Sequence, residues 1–151
     1  MSATYVGPDE GLHHRMIDGD HVTKAQVKDA VGAFEVFEIV ATAEQAAPPH
    51  VSPWTGVMYV LEGEVTATVA DDTYRVGPGG LVTLPAGTPV TFAASSATAR
   101  FLAITSGDRA GAFFADLAQT VPPDAPLDEA MTAVATVTAR HGVSVTAGGA
   151  S

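Results

Sequence analysis

The chain has 151 residues, of which 46% are hydrophobic and 16% are charged, so it is long enough for one domain with a buried core and too short for two catalytic domains. Its formal net charge of -10 disfavours nucleic acids and anionic membrane surfaces as partners. The absence of cysteine excludes disulfides, thiolate nucleophiles and metal sites with cysteine ligands.

The start of the chain lacks the basic and then apolar pattern of a secretory signal. No segment approaches the run of about 18 apolar residues that a membrane-spanning helix needs. We therefore expect a cytoplasmic protein with no membrane partner.

Residues 1–30 are interpreted as an N-terminal arm, and residues 31–106 as the main β domain. Short segments rich in Val, Thr and aromatic residues recur there, separated by Gly and Pro, as in a sheet of strands joined by tight turns. Glu62 and Gly63 predict a hairpin turn in which the glycine adopts a positive φ. The predicted strands are 34–40, 57–61, 64–70, 73–76, 81–84, 90–93 and 100–105.

The first of these strands has apolar residues on both faces. Phe34, Val36 and Val40 alternate with Phe37 and Ile39. Such a strand fits a barrel or sandwich whose outer face is covered by another sheet, by the N-terminal arm or by a second subunit. We predict that the covering element is a second copy of the chain, in a homodimer.

The pattern becomes helical after residue 107, and residues 107–146 are predicted to form a C-terminal helical extension. Apolar residues at helical spacing predict one helix that ends at Val121 and a second that begins near Leu127. Asp124 is the predicted N-cap of the second helix and Gly142 its C-terminal glycine. Residues 147–151 are predicted to be a disordered tail.

Two segments carry a family resemblance, PPHVSPWTGVMYVLEGE at 48–64 and RVGPGGLVTLPAGTPVTF at 75–92. They resemble the two motifs of the cupin superfamily, particularly its small, single-domain, quercetin-dioxygenase-like members. The resemblance implies an all-β fold, a single antiparallel cupin-type barrel (a jelly-roll-like double-stranded β-helix) with C-terminal helices. The residues on the family's structural positions are Gly63, Gly79, Pro85 and Gly87.

The resemblance also places the family's metal-ligand positions. His50 falls on the first histidine, whereas Ser52, Gly56 and Val90 replace the second histidine, the glutamate and the last histidine. A catalytic divalent ion needs about three imidazole or carboxylate ligands. We therefore expect a degenerate site with no metal and no cofactor. A substitute site would have to recruit His13, His14, His21 or His141.

Strand alternation predicts which side chains line the interior of the barrel. A mostly apolar lining predicts a small apolar or aromatic ligand. Glu38 is left open, since the pattern does not decide which face of its strand points inward. The predicted contact residues are His50, Ser52, Met58, Val60, Val90 and Phe92, with Trp54 near the rim.

We predict that His50 acts as the acid/base of a metal-independent cupin that isomerises, cyclises or eliminates its ligand. Alternatively, His50 has a purely structural role and the protein senses or carries the molecule without chemistry. A weaker alternative is a dioxygenase with a non-standard metal site. The sequence leaves open whether the protein is an enzyme and what its ligand is.

Overall fold

The computed structural model describes residues 2–121 and 124–146. The strands are β1 (Leu12–Met16), β2 (Gly19–Lys28), β3 (Ala33–Thr42), β4 (His50–Val51), β5 (Gly56–Glu62), β6 (Val65–Val69), β7 (Asp72–Val76), β8 (Leu81–Leu84), β9 (Val90–Ala94), β10 (Thr98–Ser106) and β11 (Ser144–Val145); the helices are α1 (Ala110–Thr120) and α2 (Leu127–His141). Neither of these helices is long and apolar enough to cross a membrane.

The strands form two antiparallel sheets that enclose the core. One sheet has six strands in the order β1-β2-β3-β10-β5-β8, and the other has five in the order β11-β4-β9-β6-β7. The predicted all-β, antiparallel barrel with C-terminal helices is confirmed. At the turn between β5 and β6, Gly63 has the predicted positive φ, 76°. A Cβ there would collide with the carbonyl oxygen of Thr98.

The segment interpreted as an N-terminal arm contains two strands that the sequence analysis did not assign. β1 and β2 form a hairpin through the two-residue turn at Ile17 and Asp18. β2 then pairs along the edge of β3, so the hairpin extends the larger sheet. This pairing carries Asp18 and His21 into the interior.

Alternation along β3 and β5 separates an inner face from an outer one. Phe37 and Met58 are fully buried in the main core cluster, together with Phe101 of β10. Glu38 lies on the outer face, where its carboxylate pairs with Arg100 at 3.2 Å. The open question about Glu38 is thus answered: it does not face the interior.

The helices pack against the barrel as a second layer. Phe113 of α1, Val137 of α2 and Val143 form a cluster that joins the two helices to the chain after them. At the start of α1, the N–H of Gly111 donates a hydrogen bond of 2.9 Å to the buried carboxylate of Glu35. This bond joins the start of α1 to β3 of the larger sheet.

The ends of α2 confirm one sequence prediction and correct another. Gly142 has the predicted left-handed conformation, with φ 72°. The prediction of Asp124 as N-cap is wrong, because the helix begins after Pro126, which makes no side-chain cap. Asp128 and Glu129 in the first turn instead place negative charge at the N-terminus. The tail predicted for 147–151 lies outside the described residues.

Candidate functional site

A cavity of about 130 Å³ lies inside the barrel, beneath the two helices. Apolar side chains from both sheets and from the helices make most of its wall. An apolar cavity of roughly 150 Å³ holds one benzene molecule. The volume therefore suits a ligand of about one aromatic ring.

His50 of β4 lies in this wall, paired in register with Val90 of β9. Its Nδ1 lies 2.8 Å from the carbonyl oxygen of Pro48. Because a carbonyl only accepts, Nδ1 carries the hydrogen that is donated. In the neutral ring Nε2 is then the unprotonated nitrogen, which can accept a proton.

Most of the other sequence-predicted contact residues share the cavity wall. Val60 points inward as predicted, but it packs in the core and does not line the cavity. Trp54 packs against Phe113 of α1, with ring centroids 5.6 Å apart. Of the predicted contact residues, those found in the cavity wall are His50, Ser52, Trp54, Met58, Val90 and Phe92.

The structural frame of the second motif positions Ser52. The N–H of Gly87 donates a hydrogen bond of 3.0 Å to the Ser52 carbonyl oxygen. This bond ties the segment after β4 to the turn before β9. The turn at residues 77–80 similarly holds the end of β5, since the N–H of Gly79 bonds the Val60 carbonyl at 2.9 Å.

Sequence reasoning did not place Asp18 or His21 in the cavity, and it named His21 only as a ligand for a substitute metal site. Asp18 is 9% exposed and His21 is 1% exposed, and both line the wall. The Nε2–H of His21 donates to Asp18 Oδ1 at 3.0 Å. The dipeptide Asp18-Gly19 is a common turn signal, and it marks the hairpin that brings Asp18 and His21 to the cavity. The prediction of an N-terminal arm over residues 1–30 is therefore corrected to a hairpin at residues 12–28.

The environment of Asp18 sets its charge. Burial by itself raises the pKa of its carboxyl group, but the charge and hydrogen bond of His21, together with the charge of His50, hold that pKa below its usual value. Asp18 is therefore a carboxylate at neutral pH.

The residues at the cupin metal positions do not fit a divalent ion. His50 faces Val90 in register, and Gly56 has no side chain to contribute. Among the described residues, no group of three or more His, Asp or Glu side chains is arranged to hold a metal ion. Elsewhere, His13 pairs with Asp20 at the surface.

Comparison with known proteins gives the family context. Residues 36–105 match the family model for the cupin domain. No curated protein matches the chain significantly.

Three solved structures share the fold. The polyketide cyclase RemF from Streptomyces resistomycificus is 25% identical, with a TM-score of 0.59 over 70% of this chain and 80% of that one. KdgF from Halomonas sp. is 14% identical, with a TM-score of 0.65 over 74% and 99%. TT1209 from Thermus thermophilus is 27% identical, with a TM-score of 0.52 over 58% and 81%. These matches support the cupin superfamily.

Proposed function

We propose that this cupin-fold protein binds a small apolar or aromatic molecule in its cavity and isomerises, cyclises or eliminates it without a metal ion, with His50 as acid/base. The observation that carries the proposal is the hydrogen bond from His50 Nδ1 to the Pro48 carbonyl. It sets the tautomer in which Nε2 of the neutral ring can accept a proton. The three reactions share removal of a proton from carbon. The base then returns the proton to another carbon in an isomerisation, to the carbonyl oxygen in an aldol-type cyclisation, or to the leaving group in an elimination.

The wall of the cavity favours the apolar ligand class. Met58, Val90 and Phe92 are contact candidates around His50. A wall that is mostly apolar has too few polar groups to replace the hydration of a phosphate or of all the hydroxyls of a sugar. RemF, at 25% identity, is named a polyketide cyclase, which supports cyclisation among the three predicted reactions.

The chemistry of the side chains at the positions of the cupin metal ligands supports metal independence. Val90 cannot ligate, Gly56 has no side chain, and Ser52 offers a weak neutral hydroxyl. We expect chelator treatment to leave both activity and melting temperature unchanged. Elemental analysis of tag-free protein should find well below one equivalent of transition metal. Stoichiometric metal that restores a chelator-lowered melting temperature would contradict the proposal.

Binding is tested with toluene, a single apolar ring, by ¹H–¹⁵N chemical-shift titration. The chain has one tryptophan, and Trp54 lines the cavity, so its indole N–H peak is an unambiguous reporter. We expect this peak to shift with saturation. Gly56→Val, which adds carbons to the cavity wall, should abolish the shift. Gly77→Val is the matched control, because a Cβ at Gly77 meets nothing within 4 Å.

Catalysis is tested by deuterium exchange at the methyl group of acetophenone in D₂O. The wild type should accelerate this exchange over buffer, by about 10²–10⁴-fold for a positioned acid/base. His50→Gln should abolish the acceleration and leave toluene affinity unchanged. Exchange that persists in His50→Gln would remove His50 from the mechanism. Toluene binding without exchange in the wild type would instead support the alternative, a protein that senses or carries its ligand.

We also propose that the protein is a cytoplasmic homodimer. The outer face of the larger sheet exposes apolar side chains, with Val40 39% exposed, Tyr59 38% and Leu81 56%. The N-terminal hairpin does not cover this face, since it continues the sheet at its edge. Of the elements that could cover the outer face of a strand with two apolar faces, a second copy of the chain is the one that we propose.

A further inference from the structure

The β1–β2 hairpin carries a buried polar pair that the proposed role of His50 does not use. Asp18 lies in the turn and His21 on β2, and both line the cavity beside apolar side chains. Removing two ionisable side chains from water is costly even when they pair. Such a pair in the wall of an otherwise apolar cavity is typical of a ligand site.

Within the pair, the carboxylate is the group that a ligand can reach. The side chain of Asp18 is 12% exposed, whereas that of His21 is 2% exposed. His21 bonds Oδ1 of Asp18, and a carboxylate has further acceptor sites on both oxygens. Asp18 therefore has accepting capacity left over, and His21 keeps it in place.

The ring of His21, which donates to Asp18, is held in place by packing. Phe114 of α1 packs against it edge-on, with centroids 4.6 Å apart. Its Nδ1 is buried and has no hydrogen-bond partner within the part of the chain that the structure describes. A buried polar atom without a partner costs stability. His21 is thus buried despite one unpaired nitrogen, and its other nitrogen, Nε2, holds the carboxylate of Asp18.

We infer that Asp18, positioned by His21, accepts a hydrogen bond from a hydroxyl group of the ligand, so that the cavity takes an uncharged aromatic ring bearing a hydroxyl. This inference rests on the proposed binding of a small molecule in the cavity. A carboxylate in an apolar wall attracts a hydroxyl hydrogen and repels an anion. Carboxylated and phosphorylated rings are therefore excluded from the ligand class.

The test compares phenol with toluene, which differ by a hydroxyl in place of a methyl group. The wild type should bind phenol about tenfold more tightly in the Trp54 titration, as expected for a hydrogen bond to a charged acceptor. In Asp18→Asn the preference should fall to about threefold, because a neutral bond is roughly half as strong. Toluene affinity should stay unchanged, which shows that the cavity is intact.

Two further variants test whether His21 positions Asp18 or only supports the fold. His21→Phe keeps a ring against Phe114 but cannot donate to Asp18, so the phenol preference should fall while toluene affinity persists. Asp20→Asn is the matched control, because Asp20 lies on the same strand and pairs with His13 outside the cavity. Its phenol preference should equal that of the wild type.

The outcomes distinguish the two proposals. If toluene binds but phenol binds no more tightly, the inference about Asp18 is overturned and the proposed function stands. If neither compound binds, the proposed function fails, and the inference fails with it. Should the variants not fold, anisole replaces them as a test on the wild type, since it has the ring and oxygen of phenol without the hydroxyl hydrogen. Equal affinity for phenol and anisole would overturn the inference.

Discussion

Replacing Gly56 by alanine should stabilise the protein and weaken ligand binding. A Cβ on Gly56 would have ordinary contacts, 3.5 Å to the Ile104 carbonyl oxygen and 3.9 Å to side-chain carbons of Leu84 and Thr105. It would fill part of the cavity without a clash. Burial of one methyl group contributes about 0.8 kcal/mol, and the loss of backbone freedom in the unfolded chain contributes about 0.4–1 kcal/mol.

The free energy of unfolding should therefore rise by about 1–2 kcal/mol, which corresponds to about 3–6 °C in melting temperature for a chain of this size. Urea denaturation followed by circular dichroism measures the change, and an unaltered m-value shows that two-state comparison is valid. Gly77→Ala is the control, since its Cβ meets nothing within 4 Å and it gains only the backbone contribution. A Gly56→Ala protein that is less stable than the wild type, or no more stable than Gly77→Ala, would refute the reasoning.

Three other predictions concern the fold, the buried carboxylate and assembly. Gly63→Ala should destabilise the protein by about 1–3 kcal/mol in urea denaturation, because φ is 76° and the new methyl group meets the Thr98 carbonyl; a neutral effect would contradict the turn geometry. Because the folded-state pKa of Asp18 is lowered from its ordinary value of 3.8, its carboxylate stabilises the fold above that pH and loses this effect as pH falls through the folded-state pKa. The difference in melting temperature between wild type and Asp18→Asn should thus shrink from pH 7 to pH 3, and a constant difference would count against it. Tyr59→Glu should convert a dimer to a monomer in light scattering at micromolar concentration, whereas Tyr74→Glu, on the other sheet, should not; a wild type that is already a monomer would remove the homodimer from the account.

The barrel could be predicted because its central strands carry the signal that alternation requires. Strand β6 shows this signal most plainly, because Val65, Ala67 and Val69 alternate with threonines, and Val65 and Ala67 are buried. Gly63 was predictable because a two-residue turn between such strands needs a positive φ.

The N-terminal hairpin could not be read in the same way. β1 is an edge strand with largely exposed side chains, so its sequence shows no apolar repeat. β4 and β11 have two residues each, and they exist through pairing with distant segments instead of through a local pattern. Such pairings depend on the tertiary structure.

The residues of the candidate site also fall into a group that local alternation predicts and a group that it does not. His50 and its neighbours followed from alternation within a motif, and six of the side chains predicted there do line the cavity. Asp18 and His21 come from an unpredicted hairpin of the larger sheet, whereas His50 lies in the smaller sheet, and all three line one cavity. No local pattern relates residues so far apart in the chain.

The most direct test of the central claim, that the cavity holds an aromatic ring against His50, is a set of intermolecular nuclear Overhauser effects between toluene and the protein in solution. We predict effects from toluene to the rings of His50, Trp54 and Phe92, and their loss in Gly56→Val. Effects confined to the outer face, at Tyr59 and Leu81, would contradict the claim.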